Sequence, residues 1–284
     1  KYEIKAEMLG PEKGMKREVR ILNRIFKWAE DGVHYEADQR HADIIISQLL
    51  LRNAKPVATP CSPDCAAHHE TRNSSPLLEP ADATAYRALA ARLNYLASDR
   101  TDLQFSAKEV SKFMSSPRTS DWMILKRVGR YLIGRPRLVQ TFCWQQCPSC
   151  LSTFTDSDWA GDRSSRKSTS GGAIQLESHT LRSWSSAQPT IALSSGEAEL
   201  CSIVRGATLS KGMMSLGLDL GIKLGTHLQA YSNAASGILH RKGLGRTRRV
   251  SVQYCWPQEA TNGPEFSLGK IGTKDKPSDT LTKA

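Results

Sequence analysis

Carboxylates and thiols are the side chains in this sequence whose types and spacing could do chemistry. Asp156 ends the alternating stretch Ser152-Thr-Phe-Thr-Asp156, and Asp158, two residues on, shares its face if the strand continues. Glu197 and Glu199 stand in the first turns of a helix expected from about Ser194, and Asp279 precedes a short helical run near the end. Carboxylate oxygens are ligands that hard divalent cations accept. Each also has a local reading. Asp158 fits a turn before Trp159-Ala-Gly161, Glu197 completes the capping pattern Ser194-Ser-Gly-Glu197, Glu199 suits a helix dipole, and Asp279 suits a cap.

The thiols fall in two groups. Cys61 and Cys65 precede His68 and His69, while Cys143, Cys147 and Cys150 lie near the middle. Four such ligands would close a tetrahedral zinc site, but neither spacing repeats as a matched pair of knuckles. Seven scattered cysteines, an odd number, argue against a disulfide scaffold and for a reducing, intracellular compartment, cytoplasmic or nuclear. No stretch is long and apolar enough to span a bilayer, so no membrane partner is expected. A start at Lys1, without an initiator Met or an apolar leader, is expected of a piece of something larger.

The elements that must position these groups follow from periodicity. Val19, Leu22, Ile25 and Phe26 fall at helical intervals and predict a helix over 18–28. A short strand is expected at Val33–Ala37 and a helix from about Asp38 to Leu51. Five prolines between Pro56 and Pro80 mark 52–80 as linker-like. Tyr86, Leu89, Ala90, Leu93 and Leu96 then line one side of a helix, and Trp122, Leu125, Val128, Tyr131 and Leu132 line another that Asp121 caps. Lys126, Arg127 and Arg130 lie opposite, as a solvated face or as phosphate contacts.

Past Cys150 the texture changes. Strands are expected at 152–156, 171–177 and 181–185, then the long helix with Leu200, Ile203, Val204 and Ala207 on its buried stripe, then a strand at 228–231. Strands, helix, strand and more helix make an α/β domain with a mixed sheet. The domain boundary is expected at 145–150, with a mainly helical region over 1–145 and the α/β domain over 150–284. Across its 284 residues the chain carries a formal net charge of +11. Such an excess favours a polyanionic partner, because each phosphate neutralised releases counterions.

Four blocks then carry a resemblance: Thr155-Asp-Ser-Asp-Trp-Ala-Gly-Asp-Arg163, Lys167-Ser-Thr-Ser-Gly171, Trp184-Ser-Ser-Ala-Gln-Pro-Thr190 and Ala192-Leu-Ser-Ser-Gly-Glu-Ala-Glu199. Together they resemble the ribonuclease H domain of copia-type retrotransposon Pol polyproteins. Leu22-Asn-Arg24, Asn94-Tyr-Leu96 and Lys126-Arg-Val-Gly-Arg-Tyr-Leu132 resemble the stretch between polymerase palm and nuclease. The resemblance implies a reverse transcriptase thumb and connection remnant followed by a ribonuclease H-like mixed sheet with flanking helices. It also implies an upstream reverse transcriptase portion as partner. The polymerase motif Tyr-x-Asp-Asp is missing, so no nucleotide addition is expected.

Ribonuclease H chemistry uses two divalent ions ~3.5–4 Å apart, one activating water and one receiving the leaving oxygen. The resemblance implies four acids around Mg2+ or Mn2+. The first maps to Asp156, the second to Glu199 with Glu197 as alternative, and the fourth to Asp279 in Lys276-Pro-Ser-Asp-Thr-Leu-Thr-Lys283. The third falls on Tyr231 or Ser232, and no acid lies between Ile222 and Arg249. Asn233 offers only a neutral amide. Arg249 and Ser251 replace a further His and Asp of the family. The expected function is metal-dependent cleavage of RNA in RNA–DNA hybrids, impaired by the missing acid, with an inactive nucleic-acid-binding remnant as the alternative. Arg163, Arg166, Lys167, Arg241, Lys242, Arg246, Arg248 and Arg249 are the candidate phosphate contacts.

Overall fold

The computed structural model describes residues 6–62, 72–230, 237, 256, 266–270 and 278–282. Two sheets organise them. The first is antiparallel, in the order β1 (Glu18–Ile21), β2 (Arg24–Trp28), β3 (Gly32–Glu36) and β4 (Val139–Cys143). The second has the order β7-β6-β5-β8-β9, from β5 (Cys150–Asp158), β6 (Thr169–Leu176), β7 (His179–Ala187), β8 (Gly225–Ala230) and β9 (Phe266–Lys270). Its β5–β6 and β6–β7 pairs are antiparallel, whereas β5–β8 and β8–β9 are parallel.

The first sheet corrects the helix expected over 18–28. Ile21 pairs with Arg24 across a two-residue turn, and both turn residues, Leu22 and Asn23, have positive φ (49° and 65°). That pairing of left-handed residues matches the right-handed twist of a hairpin. Val19, Ile25, Phe26 and Trp28 favour a pleated, half-buried surface, and their spacing satisfies both periods. The amino-terminal region is therefore helices with a four-stranded sheet.

Four helices complete that region: α1 (Arg40–Gln48), α2 (Pro80–Ala97), α3 (Gln104–Ser111) and α4 (Thr119–Gly134). Tyr86, Leu89, Leu93, Val110, Leu125, Val128 and Leu132 meet in one buried core. Asp121 takes the third helical position of α4 rather than its cap. It accepts from the Arg118 amide (2.7 Å) and from the Arg72 guanidinium (2.9 Å). Two basic residues opposite the core hold the chain that enters the linker. Arg127 donates to Thr59 and Arg130 to the Lys55 carbonyl.

The long helix α5 (Ser195–Asp219) crosses one face of the second sheet. Leu200, Ile203 and Ala207 pack with Leu228, Ala230 and Phe266, while Leu151, Ile174 and Trp184 form the adjoining cluster. Gly206 allows this approach, since a Cβ there would sit 2.4 Å from Thr155. The opposite face carries Gly171, Ala173 and Gln175 and receives both α3 and the carboxy-terminal 3-10 turn Asp279–Leu281. Contacts join the two regions at the outer edge of the sheet. Gln104 donates to the Ser183 carbonyl (3.1 Å) and Gln140 to that of Thr180 (2.8 Å). Those side-chain amides occupy acceptors that an edge strand otherwise leaves open.

Candidate active site

Asp156 lies on the central strand β5, opposite Gly171 of β6, and is only 3% exposed. Two sequence-distant hydroxyls converge on it. Thr282 Oγ1 donates to its Oδ2 at 2.6 Å, and Ser202 Oγ of α5 donates to its carbonyl oxygen at 2.6 Å. Gly171 makes room for the first contact, since a Cβ there would meet Thr282 Cγ2 at 2.7 Å and the Leu281 backbone at 2.9 Å.

Glu199 precedes Ser202 by three residues on α5, and such positions are neighbours about 5–6 Å apart on a helix face. The turn that anchors α5 to Asp156 thus carries Glu199, which is partly buried. Its competitor Glu197 has a local task. The Ser194 hydroxyl accepts from the Glu197 amide (3.2 Å), and the Glu197 carboxylate accepts from the Leu193 amide (2.8 Å). Only the Ser194 half of the capping box expected from sequence forms, because the Glu197 carboxylate takes the amide one residue before the cap.

Asp279 opens the turn whose far end, Thr282, holds Asp156; its side chain lies outside the described atoms. Asp158 accepts from the Thr169 amide, and burial pushes its carboxyl above the ordinary carboxylate range, against the pull of that amide and of Lys108. Arg163 and Arg166 are exposed and Lys167 half-buried on the loop after β5. That loop is folded around Asp162, which accepts from Ser164 Oγ (2.7 Å) and pairs with Lys112 of the amino-terminal region (2.8 Å). Arg241, Lys242, Arg246, Arg248, Arg249, Tyr231, Ser232 and Asn233 lie outside the described residues.

Among the described residues no three His, Cys, Asp or Glu side chains converge as a metal site. Cys143, Cys147 and Cys150 are exposed free thiols, and Cys61 is buried; Cys65, His68 and His69 lie outside the described residues. Ser202 and Thr282 went unnoticed in the sequence. The available signals were a hydroxyl one turn past Glu199 and another three residues past Asp279.

A five-stranded sheet in which only β6 runs against the central strand β5, with a long helix over one face, is a ribonuclease H-like fold. No family model matches the chain. It is 30% identical over 267 residues to a retrovirus-related Pol polyprotein from transposon RE2 of Arabidopsis thaliana, covering 90% of this chain. It is 29% identical over 262 residues to the corresponding polyprotein from transposon RE1 of the same plant, covering 89%. The chain spans 17% of the length of each. A foamy viral protease–reverse transcriptase dRH, solved in complex with ds DNA, shares the fold with a TM-score of 0.51 at 11% identity, over 91% of this chain and 38% of that one. The chain belongs to the copia-type retrotransposon Pol family, as a ribonuclease H-like fragment of it.

Proposed function

We propose that this fragment cleaves the RNA strand of RNA–DNA hybrids with the help of a divalent cation, and does so slowly because one acid of the site is missing. The reading is carried by the junction at Asp156, where α5 and the carboxy-terminal turn both hydrogen-bond to the same residue. That junction places Glu199 one helical turn from the contact and the Asp279 backbone three residues from it.

Hard carboxylate oxygens suit magnesium or manganese. Asp156 and Glu199, with Asp279 as a third, are the residues that would hold the cation. They fit one ion better than the pair used in full ribonuclease H chemistry, since the sequence from Ile222 through Arg249 offers no further acid. A bound cation would activate water and stabilise the leaving oxygen. The chain's own part is positional. Thr282 fixes the Asp156 carboxylate, Ser202 locks the helix turn beneath Glu199, and the basic residues Arg163, Arg166 and Lys167 offer charge to phosphates. A misplacement of ~1 Å at such a site costs about 100-fold in rate.

A second reading, binding without turnover, is favoured by the enclosure of Asp156 and by the +11 charge. Both readings are separated by one assay. Cleavage of an end-labelled RNA–DNA hybrid in magnesium or manganese, lost in Asp156→Asn, is expected of the nuclease. Equal rates in the two proteins refute it. Binding without cleavage, weakening steeply with salt, is expected of the second reading.

A further inference from the structure

A cavity of about 560 Å3 lies in the seam between the two regions, on the sheet face opposite α5. Its walls come from α3, α4, the segment 58–61, strands β6 and β7, and the carboxy-terminal turn. The volume is that of a small-molecule site. Phe105, Tyr131, Ala173 and Leu281 supply apolar surface. Asp102 is the charged residue of the lining, and it is already neutralised. Arg100 donates to both of its oxygens (2.9 and 2.6 Å), and the Tyr131 hydroxyl donates to it at 2.8 Å. Burial and the bond to Asp102 push the Tyr131 phenol up to about 12, so it stays protonated as that donor.

One polar group in the wall has no such partner. Ser106 is 1% exposed, and its Oγ makes no hydrogen bond among the described residues. A hydroxyl enclosed in this way destabilises the empty site unless something supplies the missing bond. An occupant with a single N–H or O–H would do so, and the surrounding apolar wall selects against a charged one.

We infer that this seam cavity binds a small, neutral, largely apolar molecule that donates a hydrogen bond to Ser106 and packs against Leu281. The site is separate from the acids, yet its Leu281 wall belongs to the turn whose Thr282 holds Asp156. An occupant therefore braces that turn. Neither point depends on the chain being an active nuclease.

Indole is small enough to enter and carries one donor, and serves as the probe on the full 284-residue chain. Isothermal titration is expected to give saturable 1:1 binding with a Kd of roughly 1 mM or tighter. Hydrogen exchange of the 278–282 amides is expected to slow at saturation. Ser106→Ala keeps the packing and is expected to weaken binding about three- to tenfold. Ala173→Leu fills the cavity and is expected to abolish it while the protein stays folded by circular dichroism. No saturable binding overturns the inference. So does binding that neither variant weakens, or binding that leaves the 278–282 amides unprotected, since the probe then sits elsewhere.

Discussion

Replacing Thr282 with Val isolates the contact that ties the carboxy-terminal turn to the central strand. Thr and Val have the same shape, so the methyl under Gly171 is kept and only the hydroxyl is lost. The lost bond is to a carboxylate that is 3% exposed, and hydrogen bonds to charged groups contribute about 1.5–3 kcal/mol. A methyl now occupies a position that is 1% exposed, which returns about 0.8 kcal/mol. The net expected loss is about 1–2 kcal/mol, or a fall in Tm of about 2–8 °C for a chain of this size. Urea unfolding followed by tryptophan fluorescence reads it, and a double-mutant cycle with Asp156→Asn assigns it. The coupling between the two substitutions is expected to exceed about 1 kcal/mol, whereas sites that do not touch add within about 0.5 kcal/mol. Additivity within that margin would falsify the idea that the turn is held by Asp156.

Gly206→Ala gains up to about 1 kcal/mol of helix propensity, but its methyl would lie 2.4 Å from Thr155, so overpacking of about 1–3 kcal/mol dominates. A lowered Tm is expected, and a raised one contradicts the close approach of α5 to β5. Asp158 has its pKa raised by burial in the folded state, with Glu109 adding to the rise and Lys108 opposing it. Its stabilising contribution is therefore fully present below the ordinary Asp pKa and is lost as pH rises through the elevated folded value. Asp158→Asn, which still offers an oxygen to the Thr169 amide, is expected to gain stability relative to the native protein at pH 7 and to lose that advantage at pH 3. A difference that does not change with pH refutes the buried-charge explanation. Hybrid binding in gel shifts is expected to fall steeply between 50 and 200 mM salt, roughly as the number of phosphates neutralised; salt-independent affinity contradicts an electrostatic surface.

Much of the second region was legible because its signals are local. Strand alternation placed β5, β6 and β7, and Ser194 with Glu197 located the start of α5 through bonds that close within four residues. The periodic apolar positions of α2 and α4 likewise end up in one core. Longer-range decisions were not legible. Val19, Leu22, Ile25 and Phe26 satisfy a helical count, but pairing of β1 with β2 and of β2 with β3, and the left-handed Leu22-Asn23 turn, win over it. Strands β4 and β9 have short, weakly patterned sequences and exist as strands through their partners. The same holds at the site. Asp156 and Glu199 carry a family signature, whereas Ser202 and Thr282 matter only because the fold brings them across 46 and 126 residues to Asp156.

Restoring an acid at the third position tests the nuclease reading most directly. Tyr231→Asp and Ser232→Asp cover the two registers, each measured for cleavage of a labelled RNA–DNA hybrid in magnesium. One of them is expected to raise the native rate by about 100-fold, with the gain erased by adding Asp156→Asn. If neither variant cleaves faster, or if the gain survives loss of the Asp156 carboxylate, the acids do not work as one site and the proposed chemistry is wrong.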